Sequence, residues 1–183
     1  MKIALSGVAG AGKDYFGAFL IEEYGFYRVS FSDQLKKICA DVFDWMEVDY
    51  PPEVKEKPLN ITTSMGELIT MSPREIWLKM NYMRKIENEL FVRKLYDDVR
   101  LLQRQGVENV LITDIRTKNE MEFCKDNGFT TIRIVAPKDK IIHKTHDFDK
   151  QLDDAEFDFE FQNNFNGTEE FKEFFEKQIL ERI

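Results

Sequence analysis

A short apolar run, Ile3-Ala4-Leu5, breaks at Gly7 into GVAGAGKD, and a segment with helical spacing follows. The spacing G-x-x-x-x-G-K places Gly7, Gly10, Gly12 and Lys13 at a strand-to-helix turn that closes around an anion. Glycines lack Cβ atoms, so successive backbone N–H groups can approach phosphate oxygens. The helix that follows aims its positive dipole end at the same point. Lys13 then reaches the β- and γ-phosphates of a bound nucleotide. Gly7, Ala9, Gly10, Ala11, Gly12, Lys13 and Asp14 are the expected ATP-binding residues. Asp14 stands where Ser or Thr normally offers a hydroxyl to Mg²⁺. A carboxylate is also a hard oxygen ligand and can hold the ion directly or through water. The competing reading is a glycine-rich turn that binds nothing.

The rest of the chain suits such a loop. Apolar, β-rich runs at about 2–6, 26–31, 109–114, 129–135 and 157–162 alternate with helical patterns. That alternation predicts an α/β fold: a five-stranded, mainly parallel sheet flanked by helices. Leu35, Ile38, Cys39, Val42 and Phe43 form one helical stripe. Phe91, Leu95, Val99 and Leu102 form a second, and Phe171, Phe174, Phe175 and Ile179 a third. All three are expected to be core faces. Ser72-Pro73-Arg74-Glu75 and Thr117…Glu120 read as capping boxes that open helices, the second of which can stop at Asn127-Gly128. Residues 45–72, with Pro51-Pro52, Pro58 and Gly66, form an irregular excursion typical of a substrate-binding region or lid.

Size and charge narrow the function. The 183 residues suffice for one domain with a substantial core, and 16 phenylalanines should dominate it. Mean hydropathy is −0.45, and no run is long enough to span a membrane. The early glycines interrupt any signal peptide. A net charge of −8 argues against a nucleic-acid polymer as partner, but a few cations in a cleft suffice for a small anion. The two cysteines, Cys39 and Cys124, form no CxxC pair and fit a reduced, cytoplasmic protein.

A second set of site residues lies at the end of the third predicted strand. Ligands of open α/β sheets sit outside the carboxyl ends of the strands. Lys13, Asp14, Asp114 and Arg116 all belong to that edge. Asp114 is a candidate to hold Mg²⁺ through water, and Arg116 to neutralise a transferring phosphoryl group. A plain ion pair between Asp114 and Arg116 is the alternative. Arg74, in the first turn of a capped helix, opposes the helix dipole and hints at an anionic partner, although Glu75 can compensate. Arg84 precedes Glu87 by three residues and can form a surface pair with it. His143, His146, Asp147 and Asp149 read as a solvated loop rather than a metal site. So does the acidic stretch from Asp153 to Glu160.

These residues resemble the bacteriophage deoxynucleoside monophosphate kinases, within the P-loop nucleotide kinases. The resemblance rests on GVAGAGKD, FSDQLKKIC at 31–39, SPREIWLKMN at 72–81, TDIRTKNE at 113–120 and FQNNFNGTEEF at 161–171. "TDIR" is similar in placement to the Asp-Gly-x-Pro-Arg segment of adenylate kinases. The resemblance implies a single P-loop kinase domain over 1–183, with a helical monophosphate-binding insertion at about 45–85 and a short lid at about 136–155. It implies that Phe31, Ser32, Asp33 and Lys36 face the monophosphate pocket and that Arg74 and Arg84 grip the acceptor phosphate. It places Asn163, Asn164 and Gly167 near the ATP adenine. It is compatible with a homodimer, and with the host cytoplasm if the chain is phage-encoded. One departure stands out: no arginine lies between Arg133 and Arg182, so only Lys138, Lys140, Lys144 and Lys150 offer lid cations, and lysine lacks the bidentate fork.

The expected reaction is transfer of the γ-phosphoryl from Mg-ATP to a deoxynucleoside 5′-monophosphate, with Lys13, Asp14 and Arg116 as catalytic residues. One rival is a kinase of another phosphorylated metabolite, since animal-type phosphomevalonate kinases also carry "GKDY". The other is a regulatory nucleotide-binding protein without transferase activity. Phe31, Trp45, Trp77 and Tyr82 are aromatic enough to stack on a base, and core packing explains them equally well.

Overall fold

The five expected strands form one sheet in the order β2-β5-β1-β6-β7, every neighbouring pair parallel. They are β1 (Lys2–Ser6), β2 (Tyr27–Val29), β5 (Val110–Ile115), β6 (Thr130–Val135) and β7 (Phe159–Gln162). The computed structural model describes residues 1–137 and 151–182. Most of the lid region expected at 136–155, its four lysines and both histidines thus lie outside the described residues. The chain divides into two compact units, one of Met1–Ser30 with Tyr96–Ile183, the other of Phe31–Leu95. Among the described residues no helix is long and apolar enough to cross a membrane.

The first unit holds the sheet. β5 is buried along its whole length, as its unbroken apolar run requires of a strand covered on both faces. Helix α1 (Lys13–Tyr24) packs on β1 and β5. Gly17 permits that approach, since a Cβ there would stand 3.1 Å from Thr113 Cγ2. The phenylalanines gather behind α1. Phe16, Phe171 and Phe175 are fully buried, and Phe16 stacks on Phe171 at 4.4 Å between ring centres. Phe161 meets both Phe16 and Phe171 edge-on, at 5.2 and 5.1 Å. The C-terminal stripe spans helix α7 (Glu169–Phe174) and a π turn over Phe175–Ile179. The acidic stretch is not merely solvated. Asp158 accepts from the backbone N–H and the hydroxyl of Thr131, both at 2.7 Å, and Glu160 pairs with Arg133 at 3.5 Å, tying β7 to β6.

Helix α6 (Lys118–Asp126) begins at Thr117, whose N–H donates to Glu120 Oε2 at 3.0 Å. It stops where expected, at Asn127, with Gly128 at φ +70°.

The second unit is mostly helical: α2 (Phe31–Val42), α3 (Pro52–Lys55), α4 (Pro73–Met80) and the start of α5 (Leu90–Arg104). The Ser72 capping box forms: Ser72 N–H donates to Glu75 Oε2 at 2.7 Å, and Ser72 Oγ accepts from Glu75 N–H at 3.3 Å. A two-residue hairpin, β3 (Ile61–Thr62) with β4 (Leu68–Ile69), lies within the excursion. Strands so short leave too little alternation to read from sequence. Leu35, Cys39, Met46, Ile76 and Phe91 form this unit's own core.

Candidate active site

The sheet is parallel, so all its carboxyl ends share one edge, and the glycine loop leaves β1 there. Gly7, Gly10 and Gly12 take φ of +145°, +84° and +98°, values L-residues seldom adopt. Two of these glycines also meet close neighbours. A Cβ on Gly7 would lie 2.4 Å from Ile134 O, and one on Gly12 would lie 2.5 Å from Asn163 Nδ2. The loop therefore rests against the ends of β6 and β7. Lys13 is nearly buried, and its ammonium donates to Gly7 O at 2.7 Å and Val8 O at 2.9 Å. The positive charge thus sits over the loop. Asp14 follows it, exposed in the first turn of α1.

Asp114 lies on the same edge, one strand over, and its position depends on a bulge. Ala4 pairs with Ile112, but Ser6 pairs with Ile115, so β5 carries one residue more than β1 between these points. Such bulges re-aim a side chain beside functional sites. Ser6 Oγ donates to Ile115 O at 2.9 Å across the irregularity. Asp114 is largely buried, and its Oδ2 accepts from Ser30 Oγ at 3.1 Å. Arg116 is half-buried, and its backbone N–H donates to Glu120 Oε2 at 2.8 Å. The sequence alone does not single out Ser30 and Ser6, although both stand at strand carboxyl ends. That position was the available signal.

Asn163 follows β7 at the same edge of the sheet. It is buried beneath the phosphate loop, where Nδ2 donates to Ala11 O at 2.8 Å. Its Oδ1 accepts from Phe165 N–H at 2.9 Å. Asn164 and Gly167 are exposed in the same β7–α7 connection.

The other expected residues belong to the second unit. Phe31 is buried in packing, Ser32 and Asp33 are half-buried, and all three open α2. Lys36 pairs with Asp33 at 3.4 Å and Asp49 at 3.2 Å, with its ammonium 5.4 Å from the Trp77 ring centre. Arg74 is balanced by Glu56 at 3.2 Å rather than by Glu75, which is engaged in the cap. Arg84 donates to Asn81 Oδ1 at 2.9 Å and lies 4.5 Å over Phe91. Glu87 pairs with Arg93. Trp45 stacks on Phe43, whereas Tyr82 is exposed. Burial pushes the Cys39 thiol up to about 11. Burial also raises Cys124 well above the usual thiol value, helped by Glu120 and Asp114, so neither offers a thiolate at neutral pH.

A parallel sheet with a glycine loop, lysine and following helix at its carboxyl edge defines a P-loop phosphotransferase fold. A protein of Acanthamoeba polyphaga mimivirus, under the provisional name deoxynucleotide monophosphate kinase, is 30% identical over 145 residues, covering 74% of each chain. The chain belongs to this deoxynucleotide monophosphate kinase family of P-loop kinases. No protein-family profile matches it. The crystal structure of TT1252 from Thermus thermophilus aligns with a TM-score of 0.55 over 99% of this chain and 96% of that one, at 14% identity. Such a likeness is one of fold alone. Dephospho-CoA kinase from Campylobacter jejuni aligns with a TM-score of 0.49 over 98% and 96%, at 15% identity.

Proposed function

We propose that the protein transfers the γ-phosphoryl of ATP to a deoxynucleoside 5′-monophosphate. The observation that carries this reading is the phosphate loop at the sheet edge, with Lys13 over it and Asp114 at a bulge on the neighbouring strand. An oxygen of the acceptor phosphate forms a bond to the γ-phosphorus as the bond to the β–γ bridging oxygen breaks, releasing ADP. The acceptor's second pKa is about 6, so its nucleophilic oxygen is ionised at neutral pH and needs no base. The demand is electrostatic: two polyanions must be held in line. Lys13 and the loop N–H groups bind the ATP phosphates, and Arg116 offsets charge on the transferring group. Arg74 and Arg84 bind the acceptor phosphate, with Phe31, Ser32, Asp33 and Lys36 around it.

Asp14 and Asp114 fit Mg²⁺, which favours one or two carboxylates together with substrate phosphates. Bound there, the ion would neutralise charge on the β- and γ-phosphates. Ser30, by donating to Asp114 Oδ2, helps to hold that carboxylate at the strand end.

ADP release from Mg-ATP, measured with each common dNMP and NMP and a no-acceptor blank, tests the reading. Turnover is expected with at least one deoxynucleotide. Release equal to the blank for every acceptor would refute it and favour another phosphorylated substrate or a regulatory role. Arg74→Glu and Arg84→Glu should each raise acceptor KM by tenfold or more, on the order of a lost charge-assisted contact. Unchanged KM would remove both from the acceptor site.

A further inference from the structure

Asn163 makes contacts that an adenine-side residue would not need. Its backbone N–H donates to Val135 O at 2.7 Å, extending the β6–β7 ladder by one bond past Gln162. Its side chain is then spent in two directions: Nδ2 donates to Ala11 O, and Oδ1 accepts from Phe165 N–H. Phe165 itself sits at φ +60°, unusual for a bulky residue, and so depends on outside support. One buried amide joins the phosphate loop to the β7–α7 connection.

The peptide that it grips joins Ala11 to Gly12. The Ala11–Gly12 peptide is trans, so in this planar unit the Ala11 C=O and the Gly12 N–H point in opposite directions. Holding the carbonyl on Asn163 turns the Gly12 N–H away from that amide. A peptide that precedes glycine flips easily, because glycine accepts both signs of φ. Flipped, it would present a carbonyl oxygen to an anion. Gly12 has φ +98°, and a Cβ there would strike Asn163 Nδ2, so amide and glycine are fitted to each other.

We propose that Asn163 is a positioning residue that locks the Ala11–Gly12 peptide with its N–H towards the nucleotide phosphates. This rests on the phosphate loop binding ATP, as proposed above. It assigns Asn163 to the polyphosphate rather than to the base.

The test measures binding of ATP, inorganic tripolyphosphate and adenosine by calorimetry, for wild type, Asn163→Ala and Asn163→Asp. Wild type must bind ATP; if it does not, the proposed function fails before this inference is reached. Asn163→Ala adds no charge and should weaken ATP and tripolyphosphate about tenfold, the scale of one buried hydrogen bond, with adenosine unchanged. Asn163→Asp keeps an acceptor for Phe165 but loses the donor to Ala11. Its tripolyphosphate affinity should recover relative to Asn163→Ala as acid protonates the carboxyl. Wild-type affinity in Asn163→Ala, or equal losses for adenosine and tripolyphosphate, would overturn the proposal. If neither variant folds, exchange of the Asn163 Nδ2 protons in the wild type decides. Slow exchange without nucleotide supports the lock, and exchange as fast as that of the exposed Asn164 amide refutes it.

Discussion

Gly7→Ala adds one methyl group at the point where the phosphate loop leaves β1. The new Cβ would stand 2.4 Å from Ile134 O, and Cβ contacts under 3.0 Å essentially do not occur. The obstacle is a backbone carbonyl near the carboxyl end of the hydrogen-bonded strand β6, so the loop has to give way, by roughly 0.6 Å or more on that difference. The φ of +145° adds strain on the order of 1–3 kcal/mol for a residue with a side chain. Displacements of about 1 Å in a catalytic frame cost about a hundredfold in rate. We therefore expect kcat/KM for ADP formation to fall about a hundredfold, with unfolding free energy in urea lower by about 2–4 kcal/mol. Gly128→Ala is the control. It carries the same kind of backbone strain at φ +70° but meets nothing within 4 Å. It should lose only about 1 kcal/mol and keep its activity. Gly7→Ala turning over within threefold of wild type would refute the argument from close approach. So would a Gly128→Ala variant equally inactive.

Two further outcomes follow from the packing and the caps. Phe171→Ala removes a ring stacked on Phe16 and flanked by Phe161, and should cost about 3–5 kcal/mol, with Tm lower by on the order of 10 °C in calorimetry; a loss under about 1 kcal/mol would mean that the aromatic cluster is not the core. Glu75 is held below its usual 4.5 chiefly by the Ser72 backbone N–H and then by the Ser72 hydroxyl. A lowered carboxylate stabilises the fold above its unfolded-state pKa and loses that contribution as pH falls through the folded value. The urea midpoint of wild type should therefore drop relative to Glu75→Gln between about pH 5 and about pH 3, and parallel pH profiles would show that the cap carries no charge.

The fold was legible where local chemistry and tertiary demand agree. The apolar run at Val110–Thr113 had to be a strand covered on both faces, and Ser72-Pro73-Arg74-Glu75 had to open a helix. The site was legible where a motif has a fixed spacing, as from Gly7 to Lys13. It was opaque where the role depends on what the fold brings together. Nothing near Asn163 in the sequence announces that its amide meets Ala11, 152 residues away. The bulge that places Asp114 is visible only in the register between β1 and β5. The partner of Arg74 is Glu56, 18 residues back, whereas local reading offered its neighbour Glu75 as one able to compensate its charge. Charges on long side chains choose partners in space rather than along the chain.

The central place of β1 bears on how the molecule comes into being. Its neighbours are β5 and β6: Lys2 pairs with Val110, and Ile3 with both Leu111 and Thr130. The strand that launches the phosphate loop thus finds both of its partners more than a hundred residues later in the chain. Closing loops of that length is slow, and parallel pairing gives no local hairpin to start from. The neighbours against which the glycine loop rests, Ile134 and Asn163, likewise come from chain that follows β5. A nucleotide that binds only the folded loop would therefore not assist the early steps of folding. It would select only chains whose sheet has already closed, and its stabilisation would arrive with the last stage of assembly.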